Sequence, residues 1–125
     1  MIDANSNASI DKSIRPWGRY EVLLDSPECK VKRIIVQPNH RTSYQRHVKR
    51  EEFWTIIKGT ATITLNDQII ELQPGDQIHI PLNAKHRIAN QKNTPLIFIE
   101  IQRGSYFGED DIVRIEDDYN RLSSE

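Results

Sequence analysis

Short runs of alternating apolar and polar residues dominate the chain, and turn-forming residues separate them. A strand places successive side chains on opposite faces, so a period of two predicts β-structure. Such runs lie at residues 20–24, 29–37, 44–47, 52–57, 60–65, 68–72, 77–80, 86–89 and 95–102. About nine short strands, with no convincing helical period before residue 109, predict an all-β domain that is closed or sandwiched.

The ends of the chain differ from this pattern. Residues 1–13 are small and polar without a period, which predicts a flexible lead-in, and residues 122–125 are expected to be a flexible C-terminus. Residues 14–121 are predicted to form one domain. Its tail, residues 109–121, is acidic and predicts a strand followed by a short helical turn. The apolar residues of the tail would pin it to the barrel: Ile112, Val113, Ile115 and Tyr119.

Composition and charge narrow the class of protein. A length of 125 residues suits one domain, and 17 basic against 18 acidic residues give a net charge of -1. This balance argues against nucleic acid or an anionic membrane as the main partner. Cys29, the one cysteine, cannot form an internal disulfide, and no apolar stretch approaches the roughly 20 residues of a membrane span. The start of the chain lacks a signal-peptide pattern, so we expect a cytoplasmic protein.

Four residues of metal-ligand type stand at suggestive positions. Gln45 and His47 share one face of a predicted strand, and a turn at residues 48–51 would bring Glu52 back beside His47 on a paired strand. His86 opens a later strand. An amide oxygen, two imidazoles and a carboxylate suit a divalent ion, zinc first, with manganese, iron or nickel as alternatives. The alternative to a metal site is that both histidines are ordinary hydrogen-bonded residues of a barrel interior.

The spacing of these residues resembles the paired motifs of the cupin superfamily. The first motif runs ligand, one residue, histidine, four residues, glutamate, six residues, glycine, and is matched by Gln45, His47, Glu52 and Gly59. The second is matched by Gly75, Pro81, His86 and Asn90, with Asn83 where glycine is usual. The resemblance implies a cupin-type, jelly-roll β-barrel with a short C-terminal tail segment.

Further stretches resemble a particular branch of cupins, the C-terminal isomerase domain of type II mannose-6-phosphate isomerases. They are Arg-Pro-Trp-Gly-x-Tyr at 15–20 and the segments 30–33, 104–114 and 117–121. Such proteins are usually bifunctional with mannose-1-phosphate guanylyltransferase, and we expect the isomerase-type domain here without that second activity. The implied reaction interconverts mannose 6-phosphate and fructose 6-phosphate in activated-mannose and polysaccharide biosynthesis.

Within the first motif the chain departs from this branch at three positions. Val48, Lys49 and Phe53 stand where the usual run has histidine. The presumed ligands are retained, and so is Arg50, the arginine that the resemblance implicates in isomerase function.

The implied chemistry sets requirements for other residues. Aldose–ketose isomerisation moves a proton between C1 and C2, so it needs a base as well as a metal on the oxygens. The candidates are Lys49, Glu51, His40 and His79, and the sequence does not choose among them. We expect Arg50 and Lys49 to be catalytic.

A sugar phosphate also needs cations, because its phosphate is a dianion. Arg50 leads, followed by Lys32, Arg33, Lys49 and Arg103, since guanidinium groups match phosphate bidentately. For each basic residue of segment 30–33 taken alone, an exposed strand face explains the residue better than a functional role does. The apolar run at 96–101 suggests burial on both sides or a homodimer contact.

Two other functions remain open. The domain could be a non-catalytic, metal-containing cupin that binds a sugar phosphate or sugar nucleotide. It could also run another metal-dependent cupin reaction, such as an oxygenase, although glutamine in the first ligand position argues mildly against redox iron.

Overall fold

The structure, a computed structural model, describes residues 13–121, and this part of the chain contains twelve β-strands. In chain order they are β1 (Ile14–Arg15), β2 (Gly18–Asp25), β3 (Cys29–Val36), β4 (His40–Arg41), β5 (Tyr44–Arg46), β6 (Arg50–Lys58), β7 (Ala61–Leu65), β8 (Gln68–Leu72), β9 (Gln77–Ile80), β10 (His86–Asn90), β11 (Leu96–Gly104) and β12 (Val113–Glu116). The predicted all-β class is confirmed. The expected flexible ends fall outside the described residues, apart from Ser13, which is buried. No helix within the described range is long and apolar enough to span a membrane.

The strands form two antiparallel sheets. One has the order β1-β2-β3-β11-β6-β9, and the other has the order β12-β5-β10-β7-β8, with β4 also pairing with β10. Both sheets contribute their inner side chains to one apolar core. Its largest members include Trp17, Tyr20, Trp54, Ile56, Ile63 and Phe98.

Local turn chemistry fixes the hairpins as predicted. Asn66 and Asp67 join β7 to β8 with φ values of 48° and 69°, the left-handed pair that a two-residue hairpin requires. The first hairpin pairs Ile14–Arg15 with Gly18–Arg19. Gly18 is required there, because a Cβ on it would lie 2.0 Å from the carbonyl oxygen of Ile35.

The expected pairing of the two first-motif strands is wrong. β5 pairs with β10 and β12, whereas β6 pairs with β11 and β9, so the two strands belong to opposite sheets. The chain crosses between the sheets at Val48 and Lys49, whose N–H groups both donate to the Asp111 carboxylate. His47 and Glu52 therefore meet across the interior of the barrel, not across a hairpin.

The central strand β11 is buried on only one face. Leu96, Phe98, Glu100 and Gln102 point inward, while Ile101 on the outer face is 41% exposed. Burial on both faces was therefore a wrong expectation, and a homodimer contact on this face stays a prediction.

The tail is fixed to the barrel as predicted, although Val113 and Ile115, two of the four apolar residues expected to pin it, are 39% and 40% exposed. β12 pairs with β5, and Tyr119 packs against the core and stacks on His40. In place of the predicted helical turn, one hydrogen-bonded turn runs from Asp117 to Asn120. The Asp117 carboxylate accepts the N–H groups of Tyr119 and Arg121, which satisfies the backbone without a helix.

Candidate metal centre

Three of the four predicted ligands meet inside the barrel. His47 follows β5, Glu52 lies in β6 and His86 opens β10, so three segments from two sheets supply them. Their exposed fractions are 5%, 2% and 3%, and their candidate ligand atoms lie within 4.8 Å of one another. Because ligand atoms around one zinc ion lie roughly 3–4 Å apart, these donors are close enough to share an ion.

Hydrogen bonds fix both imidazoles in the tautomer that a metal needs. Nδ1 of His47 lies 2.6 Å from the Asp111 carbonyl oxygen, and Nδ1 of His86 lies 2.9 Å from that of Ala84. A carbonyl only accepts, so each Nδ1 carries the proton and each Nε2 keeps its lone pair. Burial lowers the pKa of His47 to about 4 and also lowers the pKa of His86. Both rings are therefore neutral at neutral pH.

Glu52 is held as an ionised carboxylate. Trp54 Nε1 donates to its Oε1 at 2.9 Å, and Arg50 donates to its Oε2 through Nε at 2.9 Å and lies 2.8 Å away through Nη2. Burial alone would raise the pKa of Glu52, but His47, which is protonated at the acidic pH where Glu52 titrates, and Arg50 hold that pKa below its ordinary value. Arg50, Glu52 and Trp54 are alternate residues of β6, so the strand period aims all three inward.

The fourth predicted ligand, Gln45, lines the same pocket. It lies directly opposite His86 in the register of β5 and β10. Its Nε2 donates to the Ser43 hydroxyl at 2.9 Å, so the amide oxygen is the atom that suits a metal. Two neutral imidazoles, a carboxylate and a neighbouring amide oxygen fit a divalent ion.

Arg50 lies at the junction of the ligands and the rest of the pocket. Its Nη2 lies 3.3 Å from Nε2 of His47 as well as beside Glu52. Its Nη1 is buried and has no hydrogen-bond partner among the residues that the structure describes. A buried N–H group without a partner is costly, so this donor is suited to an oxygen atom of a ligand.

The pocket around these residues, of about 110 Å³, contains acidic residues that sequence reasoning missed. Glu100 on β11 is 5% exposed and accepts a hydrogen bond from Gln102 Nε2 at 2.6 Å. Burial and the charge of Glu52 raise the pKa of Glu100, so this group is the neutral member of the pair. A glutamate at an inward position of an otherwise apolar strand was the signal that could have found it.

Lys32 is the one predicted substrate contact, apart from Arg50, that lines the pocket. Its ammonium lies 2.5 Å from the Glu109 carboxylate and 3.9 Å above the Tyr20 ring. Burial would raise the pKa of Glu109, but the charge of Lys32 lowers that pKa below its ordinary value. Glu109 is therefore an ionised carboxylate that lines the pocket, with 41% of its side chain exposed.

Three of the cationic residues predicted to be functional lie outside the pocket. Lys49 is exposed, with its ammonium 5.1 Å above the Tyr106 ring. Arg33 points to the outer face of β3 and pairs with Glu21 at 3.1 Å. The side chain of Arg103 is 70% exposed. The strand period places these groups on the face opposite the pocket or in the connecting turn.

The remaining candidate bases also lie outside the pocket lining. Glu51 pairs with Arg103 and His79 on the outer face of β6, and the His79 side chain is 48% exposed. His40 bonds to the Pro38 carbonyl and stacks on Tyr119. The structure therefore brings none of the four sequence-based candidates to the metal ligands.

Comparison with known proteins places this arrangement in a family. Residues 3–117 match the family model described as mannose-6-phosphate isomerase C-terminal. The chain belongs to this family. The xanthan biosynthesis protein XanB of Xanthomonas campestris is 44% identical over 110 residues, covering 88% of this chain and 24% of that protein. A mannose-1-phosphate guanylyltransferase of Klebsiella pneumoniae is 44% identical over 107 residues, covering 86% and 23%. The chain thus spans about a quarter of the length of these relatives.

Solved structures agree on the fold. A Klebsiella pneumoniae protein with a double-stranded β-helix domain superposes with a TM-score of 0.71 at 22% identity, covering 86% of this chain and 94% of that one. A sugar phosphate isomerase of the cupin superfamily from Silicibacter pomeroyi gives 0.58 at 17% identity, covering 66% and 57%. The domain therefore has the cupin-type, double-stranded β-helix fold, which confirms the predicted architecture.

Proposed function

We propose that this domain is a metal-dependent sugar-phosphate isomerase that interconverts mannose 6-phosphate and fructose 6-phosphate. The observation that carries the proposal is the convergence of two neutral imidazoles and the Glu52 carboxylate beside a buried Arg50 whose Nη1 lacks a partner among the described residues. The family match supports the same reaction class. The relatives named guanylyltransferases are about four times longer, so that activity is not transferred to this domain.

The three departures from the usual motif do not alter the residues that line the pocket. Val48 is 47% exposed, Lys49 is exposed, and Phe53 stacks on His79 on the outer face of β6 at 4.7 Å. None of these three residues lines the pocket. The inward set of the motif is retained, and the changed positions are those that face away from the reaction.

The metal ligands and Arg50 act on the substrate oxygens at C1 and C2. A divalent ion bound by Gln45, His47, Glu52 and His86 would supply Lewis acidity toward the substrate oxygens at C1 and C2. Arg50 donates from Nη1 to the same end of the substrate and stabilises the negative charge that develops on those oxygens.

Two carboxyl groups of the pocket suit the acid and base roles. Glu109 is ionised and takes the proton from C2 of the aldose, then returns it to C1 of the ketose product. Glu100 is the neutral carboxylic acid: it donates its proton to O1 as the enediol forms and takes the O2 proton back when C1 is protonated. Polysaccharide biosynthesis is the proposed setting, because XanB is named for xanthan biosynthesis.

A coupled isomerase assay on protein loaded with zinc, manganese, iron or nickel tests the proposal. We expect turnover with at least one ion, and its loss in Glu52→Ala and Arg50→Ala. Glu51→Gln is the matched control, since Glu51 neighbours Glu52 on the same strand but faces outward. Binding of mannose 6-phosphate without turnover under all four metals would replace the proposal with a non-catalytic sugar-phosphate-binding cupin.

A further inference from the structure

Three arginines from the two ends of the chain line the metal pocket. Arg15 belongs to β1, Arg114 to β12 and Arg121 to the last described turn. They are conspicuous in the sequence only as members of the terminal motifs. The fold brings them together with His47 and Glu52 in one pocket. Along the chain, Arg15 precedes these two ligands by 32 and 37 positions, whereas Arg114 and Arg121 follow them by at least 62.

The segment that carries two of them is firmly held. Arg41 forms a bidentate pair with Asp118, with distances of 2.7 Å from Nε and 2.9 Å from Nη2. Tyr119 stacks on His40 with an interplanar angle of 4°. A solvated, unconstrained tail would not have these contacts, so the tail holds its arginines in fixed places.

Each guanidinium is also positioned individually. Arg121 donates to the buried Asp117 carboxylate through Nε at 2.8 Å and Nη2 at 3.0 Å. Arg114 donates from Nη1 to the Arg121 carbonyl oxygen at 3.3 Å, which places the two residues side by side. Arg15 donates to the Tyr20 hydroxyl at 3.2 Å. Forks held in this way lose little conformational freedom when they bind an anion.

The other cations of the pocket are engaged by carboxylates that the pocket itself contains. Lys32 contacts Glu109, and Arg50 contacts Glu52. These contacts partly neutralise the Lys32 and Arg50 charges. A phosphate group that approached them would meet two carboxylates as well.

We infer that Arg15, Arg114 and Arg121 form the site that binds the phosphate group of the substrate, at the tail side of the pocket. The inference deepens the proposed sugar-phosphate function and rests on it. Guanidinium groups suit a phosphate monoester because each can donate two parallel hydrogen bonds to its oxygens. The sugar carbons would then extend toward Arg50 and the metal ligands.

Calorimetric titrations test the inference without requiring turnover. The wild type, Arg15→Gln, Arg114→Gln and Arg121→Gln are each titrated with mannose 6-phosphate, inorganic phosphate and mannose. We expect each substitution to weaken both phosphate ligands about 10-fold or more, while mannose binding is unchanged. Arg19→Gln is the matched control, because Arg19 pairs with Glu21 at 2.8 Å in the same N-terminal hairpin but outside the pocket.

Thermal unfolding of each variant separates a lost contact from a lost fold. Arg15→Gln and Arg114→Gln leave the Asp117–Arg121 pair intact, so they keep the test valid if Arg121→Gln unfolds. The inference is overturned if the folded variants bind phosphate like the wild type, or if the wild type binds neither phosphate ligand. Arginine-dependent phosphate binding without isomerase turnover would instead reject the proposed reaction and retain the anion site. Turnover with an unchanged KM for mannose 6-phosphate in the variants would retain the proposed reaction and reject the arginine phosphate site.

Discussion

Nδ1 of His47 donates its proton to the backbone carbonyl oxygen of Asp111 across 2.6 Å, which joins a predicted metal ligand to a residue 64 positions further along the chain. The Asp111 carboxylate accepts the N–H groups of Val48 and Lys49, directly after that ligand. One residue thus orients the imidazole with its carbonyl and holds the following turn with its side chain. Such outer contacts fix the tautomer and direction of a ligand.

Asp111→Ala is expected to lower zinc affinity about 10-fold to 100-fold, because the turn that places His47 and the Asp111 carbonyl is no longer held. Competition with a chromophoric chelator measures this affinity. Asp110→Ala is the control, since the Asp110 carboxylate accepts from the exposed Tyr106 hydroxyl. Equal zinc affinities of Asp111→Ala and the wild type would show that the loop does not position the ligand.

Arg50→Gln is expected to raise metal affinity while it removes turnover. The guanidinium lies against both Nε2 of His47 and Oε2 of Glu52, so its charge and its N–H groups compete with an ion for those atoms. The metal-induced rise in Tm should therefore be larger in the variant than in the wild type. Arg46→Gln, whose guanidinium contacts Asn83, is the control. A smaller metal-induced shift in Arg50→Gln would mean that Arg50 supports metal binding.

Trp54→Phe tests the second hydrogen bond to the carboxylate ligand. The substitution keeps an aromatic ring against His86 and Phe98 but removes the N–H that donates to Glu52 Oε1 at 2.9 Å. We expect zinc affinity to fall about 10-fold with little loss of folded protein. Trp17→Phe is the comparison, because Trp17 belongs to the same core and makes no hydrogen bond to Glu52 among the described residues. An affinity equal to that of the wild type would assign Trp54 to packing alone.

Glu100 makes the stability of the metal-free protein depend on pH. Burial and the charge of Glu52 raise its folded-state pKa from 4.5 to about 8, so its contribution is fully present below pH 4.5 and is lost as the pH rises to about 8. Across that window the free energy of unfolding should fall by up to about 1.4 kcal/mol per pH unit from this group.

Glu100→Gln removes that dependence, because the amide stays neutral at every pH. Relative to the wild type, the variant should gain stability steadily from pH 5 to pH 8 in urea titrations. His47 acts in the opposite direction: its pKa is lowered from 6.5 to about 4, so its contribution is lost as the pH falls through that range. That effect is common to both proteins and cancels in the comparison. Glu71→Gln, on the exposed part of β8, is the control, and parallel profiles for Glu100→Gln and the wild type would refute the prediction.

Much of the fold could be read from local patterns. The period of two located nine of the twelve strands but not the two-residue strands β1 and β4. Asn66-Asp67 determined a hairpin because a two-residue turn requires left-handed backbone. The spacing of the motifs indicated the ligand set, and His47, Glu52 and His86 do meet. These features depend on residues close together in sequence or on the spacing of residues within a motif.

Other features required the tertiary structure. Alternation says which residues share a face, but not which face turns inward, so Arg33 and Arg103 were placed in the pocket although they lie outside it. Pairing partners are also non-local, and β5 and β6 lie in opposite sheets despite being neighbours along the chain.

The sequence by itself determined the strands, the turns and the types of ligand atom, because local backbone preferences and residue chemistry are written in neighbouring residues. Only the tertiary structure showed that Glu100 lies beside Glu52 and is neutral, and that Arg15 and Arg121 line the same pocket. Burial and proximity between distant segments arise when the sheets close, and no short stretch of sequence contains that information.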